Sequence, residues 1–320
     1  MEAYNHYLIG NSLHNQLTPD SFRKAIEHYQ KAIELDPEFA EAYCNRALSY
    51  FKLMGWFATP SKDYIPEVKS NLLKALELDN KLGEAYYILG EINFLFEWDW
   101  DAAEKNLRKG LNLNPNYAWG RIIYANFLSS MGRFDEAIRI TKGTIELDPL
   151  DPASYNELSF PLWLAGETEQ ALELNDESLK LDPDNVQTLW GSMTLNTELG
   201  NFNKALSVWE QLKGNSEITE IPAYHLGYAG QLMEYVGRRE ETIIYLNELY
   251  RRAEEEGYTG KFPQALLNIA IGDHEKALEL LEQAFINRDF AMAQMNIHKG
   301  FDPLRSYERF QNILKKMNFP

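Results

Sequence analysis

An all-α solenoid of about eight helix-turn-helix units, ended by a C-terminal capping helix, is the fold this sequence predicts. Three observations predict it. Glycine returns at a fixed period, with Gly132, Gly166 and Gly200 each 34 residues apart. Asp-Pro or Asn-Pro punctuation falls between the glycine beats, and alanines recur at helical spacing inside each segment. Such a period marks a stack of one supersecondary unit, because each unit buries its apolar face only against its neighbours.

The glycine beat is Met131-Gly-Arg-Phe-Asp-Glu-Ala137, restated from Ala165 to Ala171, Leu199 to Ala205, Val236 to Thr242 and Ile271 to Ala277. In each phrase the glycine follows an apolar stretch, where a left-handed residue ends a helix without a Cβ penalty. The second beat is Leu35-Asp-Pro37, Leu147-Asp-Pro149 and Leu181-Asp-Pro183, with Asn114-Pro115 and Asp79-Asn80 as weaker versions. Here Asp is expected to cap the next helix and Pro to occupy its first turn. Second helices are centred near Ala25, Leu72, Ala103, Ala137, Ala171, Ala205, Thr242 and Ala277.

Units one to six occupy 1–213, with an insertion in the second unit at 54–66 that carries Trp56, Phe57, Thr59-Pro60 and Tyr64-Ile65-Pro66. An irregular connection at 214–222 precedes units seven and eight at 223–300 and is the expected joint. Within 301–320 the pair Asp302-Pro303 starts a capping helix expected over Pro303 to Met317. Leu304, Phe310, Ile313, Leu314 and Met317 form its apolar side, and Arg305, Arg309, Lys315 and Lys316 its polar one.

The order Gly, Ala, aromatic or Leu, Ala, Pro over 34 residues is similar to the tetratricopeptide repeat. That resemblance implies a right-handed superhelix whose first helices line a concave face, and a role in binding protein or peptide. A narrower resemblance rests on Ala3-Tyr4 with Tyr7 and Gly10, on Glu97-Trp-Asp-Trp100 with Ala103-Glu104, and on Phe301-Asp-Pro-Leu-Arg-Ser306 with Arg309-Phe310, Leu314 and Met317. Together these look like the C-terminal repeat region of bacterial multidomain signalling proteins. In such proteins the repeats follow an adenylate cyclase, winged-helix regulator, serine/threonine kinase or TolB-like domain. None of those effector domains occurs within these 320 residues.

The residues give no foothold for catalysis. There is no G-x-S-x-G elbow and no Gly-rich phosphate loop. Ser21-Phe-Arg-Lys24 follows Thr18-Pro19-Asp20 and reads as a helix start. The six histidines, His6, His14, His28, His225, His274 and His298, never pair at the four-residue spacing of a zinc site, so no metal is expected. Cys44 stands alone, with nothing beside it to lower its pKa, and reads as a structural thiol. Asp99 and Asp101 flank Trp100 as helix-start residues. A single cysteine excludes an internal disulfide framework. No apolar run approaches a membrane span, so membrane insertion is not expected and the cytoplasm is the expected compartment. The formal net charge of −17 repels phosphate backbones, so nucleic acid is not an expected partner; the dispersed Glu and Asp read as a solvated helical surface, with attraction of basic segments as the alternative.

Placed on the repeat register, the concave positions that the resemblance implies include Tyr87, Glu91, Trp119, Asn126, Asn156, Phe160, Trp163, Trp190, Tyr224 and Gln231. Aromatics at this spacing ordinarily pack, but Trp119, Trp163 and Trp190 recur on the face expected to be solvated. Large aromatics bury much area at little entropic cost, and Asn126 and Asn156 suit an extended peptide backbone. The family's carboxylate clamp is not expected, because only Asn45 fits it: Gly10 and His14, then Glu84 and Ile88, occupy its other positions. The expected function is a non-enzymatic scaffold without cofactor, regulatory or sensory, that binds protein or peptide in its groove. The rival reading is a self-assembly module that stacks chain on chain as a homo-oligomer.

Overall fold

The computed structural model describes residues 1–56, 61–214, 216–255 and 260–319. Phe57 to Pro60 of the expected insertion and residue 215 of the expected joint lie outside them. The chain is all helical among the described residues, and its helices pair off. The pairs are α1 (Glu2–His14) with α2 (Pro19–Leu35), α3 (Ala40–Trp56) with α4 (Ser61–Leu78), and α5 (Gly83–Ile92) with α6 (Trp100–Leu113). They continue as α7 (Ala118–Ser130) with α8 (Phe134–Leu147), α9 (Pro152–Leu164) with α10 (Thr168–Leu181), and α11 (Val186–Glu198) with α12 (Phe202–Lys213). The last are α13 (Ala223–Tyr235) with α14 (Arg239–Glu255) and α15 (Lys261–Ala270) with α16 (His274–Asn287), before α17 (Glu308–Lys316).

The repeat glycines have the conformational cause that their pattern predicts. Gly132, Gly166, Gly200, Gly237 and Gly272 have φ from +72° to +90°. At the first, Gly132 N–H donates to the Ser129 carbonyl and Arg133 N–H to the Leu128 carbonyl, the paired bonds of a Schellman stop. A Cβ at any of the five would meet nothing within 4 Å, so backbone handedness and not space demands glycine.

The Asp-Pro beat works differently from its expected role. Asp36, Asp148 and Asp182 end the second helices as their C-caps. Each carboxylate then accepts the N–H two residues on, from Glu38, Leu150 and Asp184, so the prolines ride in a tight turn before the next helix. The next helices are capped by later residues: Asp151 accepts Ala153 N–H, and Asn185 accepts Thr188 N–H. Other helix starts match their reading. Thr18 and Ser21 form a reciprocal capping box, and Asp99 accepts Ala102 N–H.

Contacts divide the chain into two compact units, Met1–Ile123 with Asn287–Phe290, and Tyr124–Ile286 with Ala291–Pro320. In the first unit Phe51, Val68, Leu72, Ile88, Ile92 and Phe96 form an apolar core on which Phe290 packs. Buried Cys44 belongs to it, and burial pushes its thiol up to about 12. Tyr64, Ile65 and Pro66 lie in the first turns of α4. A π-helical turn, Asn93–Glu97, ends α5, and Trp98 adopts φ +57° so that Asp99 can restart the chain.

The second unit buries more hydroxyls and amides. Ser129, Thr141, Ser159, Ser178, Thr188 and Asn196 are all at most 4% exposed. The expected joint, 214–222, lies within this unit. Arg252 is buried there, accepted by Glu248 and donating to the carbonyls of Ile218 and Ile221, which ties the connection to α14.

The capping helix begins later than expected, at Glu308, because residues Lys299–Leu304 take up a 3-10 turn that holds Pro303. Leu304, Phe310, Ile313 and Met317 are buried as the apolar pattern predicts, Leu314 is only half-buried, Phe301 is buried as well, and Arg309 bridges Glu275 and Glu282 of α16. Among the described residues no helix is long and apolar enough to cross a membrane.

Candidate partner-binding groove

The first helix of each repeat supplies the candidate side chains, and packing divides them. Tyr87 is buried rather than displayed: its ring fills the space left by the missing side chains of Gly110 and Gly120, 5.6 Å from the ring of Tyr117. Glu91 is also buried, because the turns of α5 on either side of it enter the core. Trp163 is 8% exposed, edge-on to Phe160 at 5.8 Å and to His298 at 6.1 Å. Trp119, Asn126, Asn156, Phe160, Trp190, Tyr224 and Gln231 are half-buried.

In the first unit, Trp119 joins residues the sequence reading left out. The Lys52 ammonium stands 3.9 Å over the Trp119 ring, and Glu91 lies behind the pair. Burial raises the Glu91 pKa to about 7, and Lys52 and the Trp119 indole pull the other way. In front is a concavity of about 390 Å³ lined by Asn11, His14, Asn45, Lys52, Tyr117 and Trp119.

The hydrogen bonds assign the protons in this pocket. Ser49 Oγ donates to the Asn45 carbonyl, so it accepts from His14 Nδ1–H at 2.8 Å, and the His14 Nε2 lone pair is left as an acceptor. Burial lowers the His14 pKa to about 4, helped by Lys52, so the ring stays neutral. Asn45 donates to Asn11 and Tyr7, Gly10 packs on the Tyr29 ring, and Glu84 accepts from Asn114. The clamp positions are thus spent on internal contacts.

In the second unit, Trp190 meets Tyr228 edge-on at 5.2 Å and His225 at 5.7 Å, while Tyr224 stacks on Phe262 at 5.7 Å. Burial lowers His225 to about 4, leaving a neutral ring beside Trp190. The indole N–H groups of Trp163 and Trp190 are both enclosed and meet no acceptor among the described residues. On α9, Glu157 has its pKa raised to about 7 by burial and by Asp151. Lys52 and Glu157 escaped sequence reading because isolated polar residues on a first helix look like solvated ones. Among the described residues no group of three His, Cys, Asp or Glu could hold a metal ion.

Comparisons with known proteins agree with this architecture. The pattern described as TPR repeat matches residues 21–53, and the one described as tetratricopeptide repeat matches 97–158. The chain is similar to the transcriptional regulator HilA of Salmonella typhimurium, at 24% identity over 286 residues, covering 88% of this chain. The chain spans about half of that relative's length, 50%. It is similar to Hsp70-Hsp90 organizing protein 1 of Glycine max, at 33% identity over 107 residues, which is 33% of this chain and 16% of that protein. Its fold is similar to the crystal structure of PilW, a type IV pilus biogenesis factor, with a TM-score of 0.54 and 18% identity over 67% of this chain and 93% of that one. The left-handed glycine stops and the paired helices agree with both matches, which give this chain tetratricopeptide repeats at 21–53 and 97–158.

Proposed function

We propose that this chain is a non-catalytic regulatory module that holds a peptide or protein segment along its first helices. The observation that carries this reading is the pair of enclosed indole N–H groups, Trp163 and Trp190, with no acceptor among the described residues. A buried donor without a partner is costly, and an extended backbone laid across it supplies carbonyl acceptors. Repeat proteins of this family generally mediate protein-protein interaction, in line with the match to a chaperone-organizing protein. The regulatory part of the reading rests on the similarity to a transcriptional regulator and on the phrases shared with bacterial signalling proteins. A cytoplasmic setting and a partner other than nucleic acid follow from the same reading, the latter because the chain carries −17.

The test is an arrayed peptide library probed with the wild-type chain and with Trp190→Ala. Peptides that bind wild type and lose at least tenfold in affinity on Trp190→Ala support the groove. Retention of wild-type affinity by Trp190→Ala overturns it. A stable dimer by light scattering that disappears in the same variant would assign Trp190 to self-assembly instead.

A further inference from the structure

We infer that residues 291–304 act as an internal ligand of the second unit's groove, and that a partner enters by replacing them with large side chains at the same three-residue spacing. The inference rests on the groove reading above and names both what leaves the groove and what the incoming segment carries.

The path of the segment is the first observation. Neighbouring repeats touch chiefly each other, so a cap needs only the last of them. The helix α17 behaves that way, with Arg309 held by α16. Residues 298–301 instead meet the first helices of four successive repeats. The His298 ring stands edge-on to Trp163 of α9 at 6.1 Å, and Lys299 Nζ lies 3.1 Å from the Glu198 carboxylate of α11. His298 Nε2 lies 2.6 Å from Tyr228 Oη of α13. The rings of His298 and Phe301 are 5.4 Å and 4.9 Å from Phe262 of α15. A segment laid along the face that the first helices share makes such a series; an end cap does not.

Periodicity is the second. Met292, Met295, His298, Phe301 and Leu304 follow at intervals of three, and none is more than 4% exposed. Met295 N–H donates to the Met292 carbonyl and Phe301 N–H to the His298 carbonyl. These are the bonds of 3-10 turns, which bring every third side chain to one side. Between them Gln294, Asn296, Ile297 and Lys299 are not buried, and Ala291 and Ala293 are small enough to be.

The third is the indole on which the groove reading depends. Trp163 is 8% exposed with His298 against it, and its enclosed N–H meets no acceptor among the described residues. A peptide carbonyl reaches that N–H only once His298 has moved. The segment fills the groove without meeting this donor, and a partner that supplies the missing acceptor has an advantage over it.

The segment's own pattern specifies that partner. It carries three large side chains at three-residue spacing, the third an imidazole or another ring able to meet Trp163 and Phe262 edge-on. A basic residue follows the ring, as Lys299 follows His298, and pairs with Glu198.

The experiment measures the fluorescence anisotropy of a labelled peptide of residues 291–301 on the full chain, as wild type, His298→Ala and Lys299→Glu. Both substitutions change the segment and leave the groove side intact for the probe. His298→Ala is expected to bind the probe about tenfold more tightly than wild type, and Lys299→Glu about threefold. A permuted probe of the same composition should bind neither. Lys299 is exposed, so its variant gives a reading even where His298→Ala fails to fold. Affinity no higher in the folded variants than in wild type, or equal binding of the permuted probe, overturns the internal ligand. If arrayed peptides still bind wild type in that event and are lost on Trp190→Ala, the groove survives and this segment is not its occupant. Failure of every peptide to bind wild type or either variant sinks both readings.

Discussion

Four residues after the repeat alanine, two regions of this molecule make opposite choices. In Met1–Ile123 that position holds Tyr29 and Leu107, and in α8 and α10 of the second unit it holds Thr141 and Asn175. All four are at most 1% exposed. The repeat therefore demands burial at this point but not apolarity. Thr141 meets the demand by turning its hydroxyl back to the Ala137 carbonyl, Tyr29 by filling the space over Gly10 while its hydroxyl reaches Asn11. Apolar filling contributes transfer and packing energy, and internal hydrogen bonding mostly avoids a penalty. The α8–α11 stretch should accordingly be the softer one.

The largest expected effect tests that contrast directly. Leu72→Ala, in the core of the first unit at 0% exposure, should cost about 2–5 kcal/mol in urea denaturation. Thr141→Ala should cost only about 1 kcal/mol, the worth of one internal hydrogen bond. Equal costs would erase the distinction between the two regions.

Acid should act next, on the tail of the second unit. Gly300 N–H donates to His298 Nδ1, so Nε2 carries the proton and faces Tyr228 Oη at 2.6 Å. Burial lowers the His298 pKa from 6.5 to about 4. The unfolded chain thus takes up a proton that the folded chain refuses, and stability falls as pH drops from about 6.5 to about 4. Urea midpoints across that range should fall more steeply for wild type than for His298→Gln; parallel slopes would remove His298 as the cause.

The smallest effect has the opposite sign. Asn175→Leu replaces an unmatched buried amide by the apolar filling of the first unit, and should raise stability by about 1–3 kcal/mol in the same assay. A loss of stability would mean that Asn175 is already satisfied and that the two regions are closer in kind than their residues suggest.

Much of this was legible beforehand. The five glycine stops, the eight helix pairs and the apolar side of the tail follow from periodicity, because a left-handed stop and an apolar stripe are properties of a few consecutive residues. The capping roles were partly misread. Asp36, Asp148 and Asp182 close the preceding helix instead of opening the next, a choice between two nearby N–H donors that spacing does not settle. The groove residues were legible as positions, but not as exposures. Tyr87 and Glu91 carry the same register as Trp119 and yet are buried, since Gly110 and Gly120 on other helices open the space that Tyr87 fills.

By itself, then, the sequence determined what is local: the repeat, the places where helices stop, the absence of recognised catalytic motifs and the acidic balance. Only the tertiary structure decided which polar groups are left without a partner. Trp163, Asn175 and Trp190 come from three different helices, and none of them signals an unmet hydrogen bond in its own segment. An unmet hydrogen bond is a property of everything around a group, and that surrounding exists only once the helices are packed.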